Sequence, residues 1–301
     1  MTVPFDTVTA APTHVRPRLA DFVELTKPRI SVMVLICVGI SAFVSASMAD
    51  PWLILHSLIG VFLVSASGCA ANQFIERYTD WLMPRTANRP LPAQRISANA
   101  VGFFCAVTLG MGIAYLATLV NFQAAAWAGL TWAVYVLIYT PLKVVTSLNT
   151  YVGALAGAFP VLIGVAGQEP LIPTIGWAIF AILYIWQFPH FMAIAWKFRK
   201  DYANAGVIMF PVSDPTGRST GWHALVFATL MIPVSLWAIV LVAGFSWPMI
   251  AATIFWGLTY LIPSWNFFRD RNEKTSRILL LSSLIHLPAM LLTILAAKLL
   301  A

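Results

Sequence analysis

Charge is what this 301-residue sequence has least of: Asp, Glu, Lys and Arg together make up 10% of it. So few charges cannot coat a water-facing exterior, which excludes an ordinary soluble protein as well as a disordered chain. Acidic residues are the scarcer sign, 11 against 18 Lys and Arg. The basic excess does not mark a nucleic-acid-binding module, because the chain around it is 60% hydrophobic. Cysteine is nearly absent. Cys37, Cys69 and Cys105 are widely spaced within apolar runs, with no CxxC or Cys/His pairing, so neither a zinc site nor a disulfide framework is encoded. Alternation with period two is also missing, which excludes barrel strands. Residues 1–29 lack the apolar core of a signal peptide and mix Asp6, Asp21 and Glu24 with Arg16, Arg18, Lys27 and Arg29. They read as a flexible cytoplasmic tail in front of a membrane domain over 30–301.

What the sequence has instead is long apolar runs, at 30–49, 52–71, 99–120, 124–142, 148–167, 173–196, 222–243, 248–268 and 277–300. Each is near the roughly 20 residues that cross a bilayer as a helix, the form in which a segment satisfies its own backbone in lipid. The expected fold is an all-α integral membrane bundle of nine transmembrane helices. Pro160, Pro189, Pro233, Pro263 and Pro288 fall inside these runs, where neighbouring helices satisfy the freed carbonyls.

With the N-terminus inside, 17 of the 18 Lys and Arg residues lie on the inner side, and only Lys298 lies outside. This bias places the active loops in the cytoplasm and the C-terminus outside, and the protein is expected to be integral to the cytoplasmic (inner) membrane. The two longest connections, 72–98 and 197–221, are both inner and both rich in charge, so chemistry is expected there.

In the first, Asn72, Glu76 and Asp80 recur every four residues and share one face at the end of the second helix. Three oxygen-bearing side chains in a row suit Mg²⁺, which takes one or two carboxylates and completes its shell with water and phosphate oxygens. Arg85 and Arg89 follow, with planar forks that match phosphate. A solvated helix end, with Glu76 and Asp80 paired to Arg77 and Arg85, fits the same spacing. In the second connection Lys197, Arg199 and Lys200 precede Asp201, a carboxylate placed either to complete a metal site or to form a surface ion pair. Lys143, in YTPLK, belongs to the same side and could meet a leaving phosphate or serve as a membrane anchor. His190 lies well inside the sixth run, after Pro189, where an ionisable group is expensive and suggests a ligand contact or a core hydrogen bond.

The segments ELTKPRI, NQFIERYTDWLMPRTANRPLP, YTPLK, LNTYVGALAGAFPVLIG and WQFPHFMAIAWKFRKDYANAGVIMFPV occur in that order. They resemble the protohaem IX farnesyltransferase family, a branch of the UbiA superfamily of intramembrane prenyltransferases, and the resemblance runs from about residue 24 to the ninth span. It implies a nine-helix bundle and a Mg²⁺-dependent reaction in which farnesyl diphosphate and protohaem IX (haem B) give haem O and diphosphate. It also implies the lipid bilayer, and haem A synthase or oxidase assembly factors, as partners. By position, the resemblance makes Asn72, Glu76, Asp80 and Asp201 the metal ligands. Arg85, Arg89 and Lys143 become diphosphate contacts, Lys143 acts in catalysis beside the ligands, and His190 is a haem contact; Lys197 and Arg199, next to Asp201, are further expected diphosphate contacts. The broader superfamily commonly has a second Asp four residues after the position of Asp201, where this chain has Ala205. Two other readings remain: a related prenyltransferase acting on a quinone precursor, and a transporter, whose polar groups should line a path across the bilayer.

Overall fold

The computed structural model describes residues 19–301, and among them every regular element is helical. The chain runs α1 (Leu19–Leu25), α2 (Pro28–Ser45), α3 (Pro51–Trp81), α4 (Ala98–Leu119) and α5 (Phe122–Ala133). After α5 a wider π-helical stretch, Val134–Tyr139, leads into α6 (Thr140–Leu142). Then come α7 (Asn149–Gln168), α8 (Thr174–Lys197), α9 (Arg199–Asn204), α10 (Phe210–Ser213), α11 (Arg218–Ala243), α12 (Trp247–Arg269) and α13 (Glu273–Leu300). All the apolar runs expected to cross the membrane are helical. Eight helices among the described residues are long and apolar enough to span. The remaining expected span, 248–268, corresponds to α12, which is long enough at 23 residues but carries Thr, Tyr, Ser and Asn that lower its hydropathy. It packs between α11 and α13.

The centre of the bundle is α7, whose apolar window is 72% buried against 22% for α4. Its sequence explains this. Gly153, Ala154, Gly157, Ala158 and Gly164 leave little side chain on the faces turned to α2, α5 and α8, and in lipid such small residues let helices approach closely enough for dispersion contacts to hold them. Two apolar clusters meet on α7. One joins it to α2, α8, α11, α12 and α13, and the other to α2, α3, α4 and α5. All five interior prolines lie within helices, as expected.

The segment read as a flexible tail is partly ordered. Residues 1–18 lie outside the described residues, but Leu19–Leu25 is a helix with Asp21 and Leu25 buried. Arg95 ties it to the first long connection, with Nη1 2.6 Å from Asp21 Oδ1 and Nη2 2.6 Å from Glu24 Oε2. Gln73 Nε2 donates to Leu25 O at 2.9 Å. These partners are some 50 to 75 positions apart in sequence, so no local pattern announces them.

Candidate active site

Helix α3 outruns its apolar span. It continues to Trp81, so Asn72, Glu76 and Asp80 sit on its last turns and project along one stripe about 12 Å long. All three line a single cavity of about 720 Å³, within the range of about 300–1,000 Å³ usual for ligand sites. At its charged end stand Lys27, Arg29, Arg85, Arg89 and Lys143. The apolar body is lined by residues of α2, α3, α5, α7, α8 and α13, among them Met33, Val64, Trp132, Leu183, Trp186 and Leu287. His190 belongs to this body, seven residues and so roughly 10 Å of helix rise from Lys197.

Each polar member of the stripe is held by one cation. Lys27 Nζ donates to Asn72 Oδ1 at 2.7 Å, Lys143 Nζ lies 2.6 Å from Glu76 Oε1, and Arg89 Nη1 lies 2.6 Å from Asp80 Oδ2. Asn72 and Asp80 are each only 1% exposed. This is not a solvated helix end, since the expected pairing with Arg77 and Arg85 is not what forms. Arg77 turns back to Phe74 O at 2.6 Å, and the Arg85 guanidinium sits 4.7 Å above the Phe198 ring.

Lys143 is placed by the turn that follows the π-helical stretch. That stretch stacks Tyr135 on Tyr139, with centroids 5.7 Å apart, and sets the Tyr139 ring 4.5 Å from Lys143 Nζ. Burial disfavours the ammonium, but Glu76 and the Tyr139 hydroxyl outweigh it and hold Lys143 above the usual lysine value. Its carbonyl meanwhile accepts from Ile208 N at 2.7 Å, so one residue joins both long connections. In the second connection, Asn149 Nδ2 donates to Ile208 O at 2.8 Å. Asp214 caps the start of α11 by accepting from Ser219 N at 2.8 Å.

The residues expected at the site divide into two groups. Asn72, Glu76, Asp80, Arg85, Arg89, Lys143 and His190 converge on the cavity, whereas Asp201, Lys197 and Arg199 lie outside its lining. Arg199 instead covers the Trp196 ring at 4.4 Å and donates to Trp196 O at 2.7 Å. Lys197 Nζ lies 5.2 Å from the Phe198 ring. Among the described residues no three His, Cys, Asp or Glu side chains approach closely enough to hold a metal by themselves. Two carboxylates and an amide oxygen on one stripe, opening into a basic cavity, nevertheless fit Mg²⁺, whose remaining ligands are normally water and phosphate.

Lys27, within the ELTKPRI segment, carries no local signal in the sequence that marks it as a site residue. Its backbone has φ 48° and ψ 63°, the left-handed region that non-glycine residues seldom adopt. Burial holds its ammonium below the ordinary lysine value. Deeper in the cavity, His190 Nδ1 lies 2.7 Å from Ser283 Oγ and the ring stacks on Trp186, with centroids 4.9 Å apart at 21°. With Nδ1 engaged, Nε2 is the nitrogen available to a ligand.

Residues 32–286 match the UbiA prenyltransferase family. The chain is 39% identical over 292 residues to a protoheme IX farnesyltransferase of Rhodopirellula baltica, covering 90% of this chain and 97% of that protein. It is 37% identical over 281 residues to a protoheme IX farnesyltransferase of Solibacter usitatus, covering 90% and 96%. Among solved structures, a digeranylgeranylglyceryl phosphate synthase superposes with a TM-score of 0.79 at 17% identity, covering 94% of this chain and 99% of that one. A UbiA homolog from Archaeoglobus fulgidus, bound to DMAPP and Mg²⁺, superposes with a TM-score of 0.70 at 15% identity, covering 93% and 100%. The structural matches speak for the fold, and the family match and the full-length relatives settle the lineage: this chain belongs to the UbiA prenyltransferase family.

Proposed function

We propose that this integral membrane protein transfers the farnesyl group of farnesyl diphosphate to a vinyl group of protohaem IX, forming haem O and releasing diphosphate. The observation that carries the reading is the single cavity with a basic, carboxylate-bearing mouth and an apolar body. One end suits a diphosphate, and the other suits an isoprenoid chain beside a porphyrin. The full-length relatives named above are protoheme IX farnesyltransferases, which favours this over a quinone-precursor substrate. A transporter is disfavoured because the charges gather at one end of the cavity.

In this reading the C1–O bond of farnesyl diphosphate breaks, and the electron pair leaves with diphosphate. The terminal vinyl carbon forms the new bond to C1. Water adds to the cationic carbon left beside the porphyrin and loses a proton, giving the hydroxyl. Mg²⁺, held by Glu76, Asp80 and Asn72, would neutralise charge on the diphosphate. Arg89, Lys143 and Arg85 supply donors for the departing oxygens, and the apolar body excludes water until the new bond has formed. Asp201 could join from α9, whose Tyr202 already lines the cavity. Lys197 and Arg199, on the same inner side, would then meet the diphosphate only after leaving their aromatic partners. Incubating purified protein with farnesyl diphosphate, haem B and Mg²⁺ should yield a product with the mass of haem O. No product, or one from a quinone precursor only, would reject the assignment.

His190 is proposed to face the porphyrin. His190→Ala should therefore raise the KM for haem and weaken a haem titration followed by absorbance, while leaving the KM for farnesyl diphosphate nearly unchanged. Equal loss for both substrates in a well-folded variant would return His190 to a packing role. The charge bias further assigns both long connections to the cytoplasm. Single cysteines at the exposed positions Asn88 and Ser213 should react with an impermeant maleimide only from that side, and one at exposed Leu171 only from the other. Labelling of Asn88→Cys from outside would invert the topology.

A further inference from the structure

Five cations line the cavity, Lys27, Arg29, Arg85, Arg89 and Lys143, against two carboxylates, Glu76 and Asp80. The surplus of three positive charges equals the charge of a fully ionised allylic diphosphate. Two of the cations are matched, Arg89 by Asp80 and Lys143 by Glu76, each at 2.6 Å. Lys27 is not: among the described residues no carboxylate lies within ion-pair distance of it. Its ammonium instead donates to the neutral amide oxygen of Asn72 at 2.7 Å. That amide is itself oriented by Asn72 Nδ2 donating to Thr140 Oγ1 at 3.1 Å. An ammonium whose hydrogen-bond partner is a neutral amide is poorly compensated until an anion arrives.

The backbone reinforces this placement. Lys27 stands directly before Pro28, where the chain is pushed towards extended conformations, yet it adopts the left-handed one. Lys27 N donates to Glu24 O at 3.1 Å, and Lys27 O accepts from Ile30 N at 2.9 Å and Ser31 N at 3.1 Å. These bonds hold the sharp turn between α1 and α2 that aims the side chain at the stripe. An unfavourable backbone kept in place by its surroundings beside a ligand cavity is a recurrent mark of a working residue.

We propose that Lys27 is a binding residue for the diphosphate group, parked on Asn72 when the cavity is empty and shifting to a phosphate oxygen when substrate enters. The shift leaves Asn72 Oδ1 free for the metal that accompanies the diphosphate, so one movement prepares both contacts. The inference rests on the prenyltransferase reading and names a contact that reading does not require.

Inorganic pyrophosphate with Mg²⁺, titrated calorimetrically into the full-length protein in detergent, provides the test. A lost charge-assisted bond should weaken binding about tenfold or more in Lys27→Met. Lys27→Gln keeps a donor for Asn72 but carries no charge, so it should weaken binding to a similar degree. Haem B titration by absorbance should be unchanged in both, which separates a lost phosphate contact from a damaged fold. If Lys27 only props Asn72, Lys27→Gln will bind pyrophosphate like the native protein. That result, or binding by Lys27→Met within about twofold of native, overturns the proposal. Failure of the native protein itself to bind pyrophosphate would reject the diphosphate reading as a whole, and this inference with it.

Discussion

Glu76→Gln and Asp80→Asn should each lower kcat by about 10²–10³-fold, the scale on which preorganised electrostatic groups contribute when charge develops on a leaving group. Both substitutions keep shape and remove charge. Since each carboxylate lies in a close ion pair with Lys143 or Arg89, the single variants also strand a cation, and stranding a buried charge destabilises by about 3–5 kcal/mol. Lost activity alone would therefore be ambiguous. Glu76→Gln combined with Lys143→Met removes both partners, which should recover most of the melting temperature while turnover stays low. An ion pair with only a structural role predicts the opposite, with activity returning alongside stability. Near-native turnover of both Glu76→Gln and Asp80→Asn at ordinary Mg²⁺ would falsify the metal–diphosphate mechanism. Comparing Arg89→Lys with Arg89→Met separates charge from shape, because Lys keeps the charge but loses the fork that can hold two oxygens at once.

Gly164→Val should produce the largest loss of stability of any single methyl-bearing substitution on α7. A Cβ at Gly164 would lie 2.5 Å from the Val38 carbonyl oxygen and 3.0 Å from Val38 Cγ1. The nearest obstacle is backbone, which no rotamer change can clear, so α2 and α7 must separate. Overpacking of this kind costs about 1–3 kcal/mol and sometimes more, and here it acts at the contact between the helix carrying the Lys27 turn and the helix at the bundle's centre. A clear fall in the melting temperature in detergent, with weaker pyrophosphate binding, is the expected result. Gly102→Ala is the control, since nothing lies within 4 Å of its added methyl group and stability should be preserved. Equal melting temperatures for Gly164→Val and the native protein would show that α2 and α7 are less tightly joined than the geometry says.

The sequence alone determined the long helices and the stripe of polar residues on one of them, which follow from the helical period and from the bilayer. Apolar run lengths set the helices because lipid leaves a backbone no other way to satisfy itself. The four-residue spacing of Asn72, Glu76 and Asp80 placed them on one stripe because the helical period is fixed, and the helix does carry them on one cavity. Even the prolines were legible, since a bundle tolerates them where a lone helix would not. Partner choice was decided only in the tertiary structure. Nothing in the spacing of Glu76, Arg77 and Arg85 indicates that Glu76 will meet Lys143, or that Asp80 will meet Arg89 rather than Arg85. Those pairs depend on how far the π-helical stretch rotates Lys143 and on how the connection after Trp81 folds back. Likewise Lys27 reads locally only as one more basic residue of the N-terminal tail. It becomes a site residue because the α1–α2 turn adopts a left-handed backbone and because Gly164 lets α2 pack tightly on α7. Asp201 shows the reverse: its charge and side of the membrane suggested the cavity, but helix α9 holds it outside the lining. Local periodicity is written in consecutive residues, whereas the meeting of helices tens of residues apart is set by the sizes of the side chains that separate them.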